Sequence, residues 1–372
     1  MDYDDTPEEA AFRAEFRTWL QHNDPGPEPA SSDSVAEQAF RMSWHRDLYA
    51  GGWLGLSWPE QWGGRGQSPL LEAIINEELG VAGIPNSVGP LGWLGRALLL
   101  FGNDDQRQRF LMPLLKGESQ WCQGFSEPGA GSDLAGISTY AQRDGSSYRI
   151  TGQKLWTSGA QFAEWCMVLV KTDRTIAKHK GISCFVIAMD TPGITVRTLR
   201  QSWGGERFCE VFFDQAEALE ENRLGDEGDG WKLANTVLSY ERGPSEIGVV
   251  ATWKSELARL AAHANDNPSI ATKYAATKVA VEACRLRLME SLSKRSIGEP
   301  PGPGSSVDKL LMIRAEQALG SLQMDVAQAS GVTGADRDAG ERYIYSRAAS
   351  IYGGTEQIQK NIVAQRILGL PR

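Results

Sequence analysis

The sequence is poor in the residues that build disulfide frameworks and metal sites. It has five cysteines and four histidines among 372 residues. The cysteines are scattered, odd in number and never spaced as CxxC, which argues against a disulfide framework or a zinc ribbon and favours a reducing compartment. The histidines show no metal-ligand spacing. We therefore expect a cytoplasmic protein that binds no metal.

Long apolar runs and basic blocks are also missing. The longest uncharged run, Leu79–Gly95, is interrupted by Pro85 and Pro90 and cannot form one membrane-spanning helix. The N-terminus is acidic, unlike a signal or transit peptide, and the last residues match no peroxisomal or reticulum signal. With 38 basic against 47 acidic residues and a net charge of −9, the chain offers no obvious surface for nucleic acid or an anionic membrane.

The pattern of elements divides the chain into three domains. Residues 1–120 have helical patterns, beginning with a capping box at Thr6–Glu9 that has proline at the first helical position. Residues 121–225 alternate β-forming runs with turns, and residues 226–372 return to long helices. We predict an α+β fold with an N-terminal helical domain, a middle antiparallel β domain and a C-terminal four-helix-type bundle.

Individual elements can also be predicted. The apolar spacing predicts helices over Leu70–Gly80, Leu91–Phe101, Trp231–Ala264, Ser269–Ser296, Val307–Ala329 and Glu341–Leu368. The β-forming runs predict strands over 147–152, 164–171, 182–189, 193–199 and 207–214. The run 182–189 is apolar apart from Ser183, as expected for a strand covered on both faces.

Two polar turns stand out as candidate binding elements. In FSEPGAGSD, Phe125–Asp133, a strand is expected to end at Ser126, and the following loop would expose backbone N–H groups and hydroxyls to a phosphate or a polar ring edge. In GQKLWTSGA, residues 152–160, Trp156 lies beside hydroxyl side chains and could stack on a planar ligand. From the residues alone, an ordinary hairpin loop and a core tryptophan remain open alternatives.

A third candidate lies on the helix that begins at Trp231. Trp231, Ala234, Leu238 and Glu241 share one helical face. A carboxylate on an apolar stripe is partly desolvated, which raises its pKa toward that of a general base. Pro244 then kinks or breaks the helix beside Glu241. A structural Glu241–Arg242 pair at a helix bend is the alternative.

Taken together, the motifs resemble the acyl-CoA dehydrogenase family of flavoproteins. FSEPGAGSD and GQKLWTSG resemble that family's flavin-contacting segments, and 351–372 resembles its C-terminal helix. The resemblance covers the whole chain and implies FAD, bound between the β domain and the C-terminal bundle. Residues implied to bind the cofactor are Phe125, Ser126, Ser132, Trp156, Ser158, Gln328, Gly331, Thr355 and Gln357. Those implied to contact the thioester substrate are Ser132, Ser239, Arg242 and Gly354.

One departure from the family pattern concerns the catalytic base. Most members carry a glutamate directly after the tyrosine of the C-terminal motif, whereas this sequence has Gly353 after Tyr352. A minority, similar to the isovaleryl and long-chain types, carry the base on the long helix, at the position of Glu241. The resemblance therefore implies Glu241 as base, the N–H of Gly353 as an oxyanion donor and Arg242 as a residue that orders the helix bend. Actinobacterial steroid-side-chain members that work as heteromers share this combination.

The implied reaction is α,β-dehydrogenation of an acyl-CoA thioester. Glu241 would take the α proton, flavin N5 would take the β hydride, and the glycine at 353 leaves room for a branched or bulky acyl group. The implied partners are an electron-transfer flavoprotein and further subunits, in a homodimer, a homotetramer or a heterotetramer with a related chain. Two alternatives stay open: a flavin oxidase or monooxygenase on the same fold, and a non-catalytic subunit of a heteromeric dehydrogenase.

Overall fold

The N-terminal domain is helical, as predicted. The computed structural model describes residues 4–30, 33–85, 91–240 and 243–371. The helices of this domain are α1 (Pro7–His22), α2 (Ser34–Ala50), α3 (Pro69–Ala82), α4 (Arg96–Phe101), which a π-helical turn (Leu91–Gly95) precedes, and α5 (Asp104–Lys116). The predicted capping box is present, since the Thr6 hydroxyl accepts from the Glu9 amide and the Glu9 carboxylate accepts from the Thr6 amide.

The middle domain is one sheet that extends the predicted strands. Its strands are β1 (Trp121–Gly124), β2 (Tyr140–Asp144), β3 (Ser147–Ser158), β4 (Trp165–Lys171), β5 (Ile182–Ala188), β6 (Ile194–Leu199), β7 (Phe208–Leu219) and β8 (Arg223–Leu224). They lie in the order β6-β7-β3-β2-β4-β5-β8, with β1 beside β4. The sheet is mainly antiparallel, as expected, but β1 and β2 both pair with β4 in parallel.

Burial explains why these strands form. The first six residues of β5 are buried, which confirms that it is covered on both faces. On β7, Cys209, Val211 and Phe213 face the core. One apolar core continues from the N-terminal helices through the sheet to Leu233 and Val237 of the helix that follows it. This shared core fixes the N-terminal and middle domains against that helix.

The C-terminal domain is a bundle of long helices. They are α6 (Gly230–Tyr240), α7 (Ser245–Asp266), α8 (Pro268–Ser296), α9 (Gly304–Ala327), α10 (Ala329–Thr333), α11 (Arg337–Ala348) and α12 (Glu356–Ile362), with a π-helical turn (Val363–Ile367) after α12. A second core joins α7, α8 and α9 to α3 of the N-terminal domain. No helix in the described ranges is long and apolar enough to cross a membrane.

Two predicted boundaries were wrong and one was refined. The single helix predicted over Glu341–Leu368 is two helices, because Gly353 and Gly354 turn the chain between them at φ values of +61° and +87°. β1 ends at Gly124 rather than Ser126. The helix predicted over Trp231–Ala264 is divided near Pro244, as expected, since α7 begins again at Ser245.

Candidate functional site

The two polar turns lie side by side in the middle domain. The loop of Phe125–Asp133 follows β1, and the second turn is the end of β3. A backbone hydrogen bond of 2.9 Å from the Leu155 amide to the Ser126 carbonyl connects them. Phe125 is buried beneath the loop, while Ser132 at its far side is exposed. The sequence separated these segments by 27 positions, and the sheet brings them together.

A buried ion pair joins the same two turns. Lys154 Nζ lies 2.8 Å from Glu127 Oε1 and donates to the Phe125 carbonyl at 3.2 Å. The other oxygen of Glu127 accepts hydrogen bonds from the amide and the hydroxyl of Ser138, each at 2.6 Å. The Thr139 amide donates to Oε1 at 3.0 Å. Every oxygen of this buried carboxylate is therefore bonded, which is the condition under which a buried charge is tolerated.

The pair determines the ionisation of both groups. Burial by itself would raise the pKa of Glu127, but the Lys154 charge and the bonds from Lys154 and Ser138 lower that pKa to about 2. Burial lowers the pKa of Lys154, and the neighbouring carboxylate opposes that shift. Sequence reasoning did not single out these two residues, although both lie within the motifs that it selected.

Trp156, in the second polar turn near the end of β3, occupies a strained backbone position. Its φ is +61°, which is uncommon for a residue other than glycine, and it lies where the pairing of β3 with β7 shifts register between Lys154 and Thr157. Trp156 is 57% exposed. Its ring packs edge-on against Phe208, with 6.1 Å between the two ring centres. Ser158, two residues on, is exposed too. An exposed indole held at a strained position suits a stacking platform better than a core role.

The C-terminal turn presents main-chain groups instead of a carboxylate. Gly353 and Gly354 form the turn before α12, and Thr355 caps that helix by accepting from the Ile358 amide at 3.2 Å. Gln359, which is buried, donates to the carbonyls of Gly353 and Gly354 at 3.3 and 3.2 Å. The turn is thus fixed from within by its own helix.

A cavity of about 250 Å³ lies between the N-terminal helices and the start of α7. Three tryptophans, Trp53, Trp58 and Trp93, form much of its wall. The cavity is also lined by Tyr240 of α6 and by the residues Gly243, Pro244 and Ser245. The chain therefore reaches this cavity immediately before and immediately after Glu241 and Arg242.

A charged patch lies in the apolar wall of this cavity. Glu72 accepts from the Ser57 amide at 2.9 Å, and Arg96 donates to the Ser57 hydroxyl at 3.0 Å. The Arg96 guanidinium also lies 5.6 Å from the centre of the Tyr240 ring. Burial raises the pKa of Glu72, and the bonds from Ser57 and the Arg96 charge offset this in part. Nothing in the sequence pattern indicated this patch, because its members come from three separate segments.

The remaining predicted residues are dispersed around these features. Glu241 and Arg242 lie outside the described residues. Of the apolar stripe predicted to lead to Glu241, Ala234 is fully buried, whereas Trp231 and Leu238 are only partly buried against the same core. The Ser239 hydroxyl bonds to the Asn235 carbonyl of its own helix at 2.7 Å. Gln328 is exposed at the break between α9 and α10, and Gly331 is buried. Gln357 is exposed on α12.

Comparison with known proteins identifies the family. Models of the acyl-CoA dehydrogenase N-terminal, middle and C-terminal domains match residues 6–118, 122–216 and 228–368. The chain belongs to the acyl-CoA dehydrogenase family. Members are FAD-dependent enzymes that oxidise a CH–CH group, so the predicted enzyme class, cofactor and three-domain fold are confirmed.

Several relatives in this family cover nearly the whole chain. Acyl-CoA dehydrogenase IpdE1 of Mycobacterium tuberculosis is 38% identical, over 97% of each chain. Acyl-CoA dehydrogenase FadE34 of the same organism is 36% identical over 93% of this chain and 49% of its own length. Among solved structures, the Tcur3481-Tcur3483 steroid ACAD superposes with a TM-score of 0.86 at 25% identity over 100% of each chain. The ChsE4-ChsE5 complex from M. tuberculosis superposes with a TM-score of 0.85 at 26% sequence identity, over 100% of each chain.

Proposed function

We propose that this acyl-CoA dehydrogenase uses Glu241 as the base that removes the α proton of a bulky acyl-CoA thioester. The observation that carries the proposal is the joining of two motifs by the Glu127–Lys154 pair, which leaves the strained indole of Trp156 exposed at the edge of the sheet. An exposed aromatic ring at a strained backbone position adds little to the stability of the fold, so its presence supports a binding role.

FAD fits the groups that the chain presents at this edge. The residues proposed to hold it are Phe125, Ser126, Ser132, Trp156, Ser158, Gln328, Gly331, Thr355 and Gln357. The Trp156 ring would cover one face of the flavin, and the exposed hydroxyls of Ser132 and Ser158 would bond to its polar groups. When bound, FAD supplies the acceptor for the hydride that leaves the β carbon.

The chain's own residues perform the proton transfer. The helix that leads to Glu241 buries Ala234 and Val237, and a carboxylate that continued this apolar face would be suited to act as a general base. The Gly353 N–H would donate to the thioester oxygen as negative charge develops on it. Arg242 would order the bend before α7, and Ser132, Ser239 and Gly354 would contact the thioester substrate.

The tryptophan-lined cavity is proposed to hold the acyl group. Its walls are mostly apolar, and they include Tyr240 and Gly243, the described residues that precede Glu241 and follow Arg242 in the sequence. Flat aromatic walls favour a cyclic acyl group over a short straight chain. The name of the structural relative described as a steroid ACAD supports the same substrate class.

The enzyme is proposed to act as an oligomer. Large apolar side chains are exposed on its C-terminal region, namely Val279, Ile297, Val332, Ile351, Leu368 and Leu370, and exposed apolar surface, where it is contiguous, marks a site for association with another chain. Because the related ChsE4-ChsE5 structure is a complex of two chains, a heterotetramer with a related subunit is one arrangement to test beside the homodimer and homotetramer. We propose an electron-transfer flavoprotein as acceptor. A cytoplasmic location fits the five free, buried cysteines.

A substrate panel and one substitution test the catalytic proposal. Anaerobic flavin bleaching is measured with straight, branched and cyclic acyl-CoA thioesters. Glu241→Gln should slow bleaching by at least roughly 10²-fold while FAD stays bound, because the amide cannot accept a proton. Glu282→Gln, on the partly exposed side of α8, is the matched control and should bleach at the normal rate. Unchanged bleaching in Glu241→Gln would refute the assignment, and rapid peroxide formation on admitting air would favour the oxidase alternative.

A further inference from the structure

Helix α9 places two charged side chains on Tyr352, the residue that precedes the glycine turn. Lys309 Nζ lies 3.9 Å from the centre of the Tyr352 ring. The Tyr352 hydroxyl donates to Glu316 Oε2 at 3.0 Å. Lys309 and Glu316 are seven residues apart on α9, so they lie on the same helical face. One helix thus holds both the ring face and the hydroxyl of this tyrosine.

Lys309 also occupies the space beside Gly353. A Cβ atom added to Gly353 would lie 3.8 Å from Lys309 Nζ and 3.9 Å from its Cε. The lysine is 7% exposed. Its ammonium is therefore a largely desolvated positive charge next to the peptide unit that joins Tyr352 to Gly353.

We propose that Lys309 is a positioning residue for the thioester carbonyl. It holds Tyr352 and, through it, the orientation of the Gly353 N–H, and its charge raises the positive potential where the carbonyl oxygen becomes negative. This rests on the proposed function, in which that N–H faces the thioester. Removal of the α proton produces enolate-like charge on the oxygen, and a fixed positive charge close to that oxygen stabilises it.

The chemistry of the lysine distinguishes this role from simple packing. An apolar side chain of similar length would cover the Tyr352 ring without the cost of burying an ammonium group. The negative charge of Glu316 and the positive charges of Arg342 and Arg347 also act on this region. Among the residues that the structure describes, the cation nearest to Gly353 is nevertheless Lys309.

The test measures ionisation of a bound ligand, independently of turnover. The FAD-loaded enzyme is saturated with acetoacetyl-CoA at fixed pH, and the enolate fraction is read from its near-ultraviolet absorbance. Lys309→Met should reduce the ionisation constant of the bound ligand at least about tenfold, one pKa unit. Lys309→Arg should keep most of the wild-type value, because it keeps the charge. Lys273→Met, which removes a surface ion pair between α8 and α9, is the matched control and should leave the constant unchanged.

Further variants keep the result interpretable. If Lys309→Met loses FAD, Lys309→Gln replaces it as the neutral variant. Tyr352→Phe keeps the ring and should change the constant less than threefold, so a loss as large as that of Lys309→Met would overturn the electrostatic role. An unchanged enolate fraction in the neutral variants would overturn the inference. Wild-type enzyme that binds acetoacetyl-CoA without forming any enolate would instead contradict the proposed function. If this short chain does not bind, the same titration is made with the 3-ketoacyl-CoA analogue of the best substrate in the panel.

Discussion

Lys154 and Glu127 form an ion pair that solvent hardly reaches, with 0% and 2% of their side chains exposed. The pair connects the two chain segments from which the proposed flavin contacts project. The position of Trp156 therefore depends on a charge pair two residues away in sequence, which itself touches neither the surface nor the cavity.

Removing one partner of this pair should be more harmful than removing both. Lys154→Met leaves the Glu127 carboxylate buried and without its cation, and we expect the free energy of unfolding to fall by about 3–5 kcal/mol. The double variant Lys154→Met/Glu127→Leu should lose less, because no charge is left without a partner. Urea unfolding of the three proteins measures this difference. A single variant as stable as wild type would show that the pair is not needed.

The same carboxylate should make stability sensitive to acid. The pKa of Glu127 is about 2 in the folded protein, below its ordinary value of 4.5. Between these values the unfolded chain binds a proton that the folded protein does not, so the free energy of unfolding should fall as pH drops from about 5 to 2. Glu127→Gln should flatten this part of the curve. An identical slope in both proteins, measured by urea unfolding at each pH, would contradict the assignment.

Two substitutions at Trp156 should separate the effect of backbone strain on stability from the effect of the ring on flavin binding. Trp156→Gly relieves the cost of a positive φ, whereas Trp156→Ala keeps it, so the glycine apoprotein should be more stable than the alanine apoprotein by about 1 kcal/mol. Both variants lose the ring and should bind FAD more weakly, as measured by flavin fluorescence. Full FAD affinity in either variant would refute the stacking role, and equal stability would refute the strain.

Two glycines of one π-helical turn give a matched test of the acyl cavity. A Cβ at Gly95 would lie 2.2 Å from the Trp58 ring and must displace it, whereas a Cβ at Gly92 meets no atom within 4 Å. Gly95→Ala should therefore lower the preference for cyclic over short straight acyl-CoA, as a ratio of kcat/KM, by about tenfold. Gly92 also lines the cavity, but because its Cβ displaces no side chain, Gly92→Ala should lower the ratio less than Gly95→Ala does. Equal ratios in the two variants would show that the acyl group does not bind there.

The sequence predicted the elements whose signals are local. The five consecutive apolar residues Cys184–Ala188 of β5 indicated a strand covered on both faces, and the capping box at Thr6 fixed the start of α1. The break before α12 escaped prediction because apolar residues continue at seven-residue spacing across it, at Ile344, Ile351 and Ile358. Hydrophobic spacing contains no information about φ, and the two glycines there provide the turn.

Contacts between residues that are distant in the sequence could not be predicted from it. Alternation along β3 places Lys154 on the same face as Tyr148 and Ile150, which marks it as inward-facing. Its partner, however, lies 27 residues earlier in a loop that no periodicity describes. Lys309 likewise gave no signal, because its relation to Gly353 exists only once α9 packs against the C-terminal turn.

The glycine turn at Gly353 and Gly354 offers main-chain amides and no side-chain carboxylate. An amide N–H neither gains nor loses a proton in the range where enzymes work, so the proposed oxyanion donor does not itself titrate. On the proposed mechanism, protonation of the base contributes to the acid limb of the rate profile, and the oxyanion donor does not. Proton acceptor and oxyanion donor come from separate stretches of chain, and each can be altered by mutation without rebuilding the other.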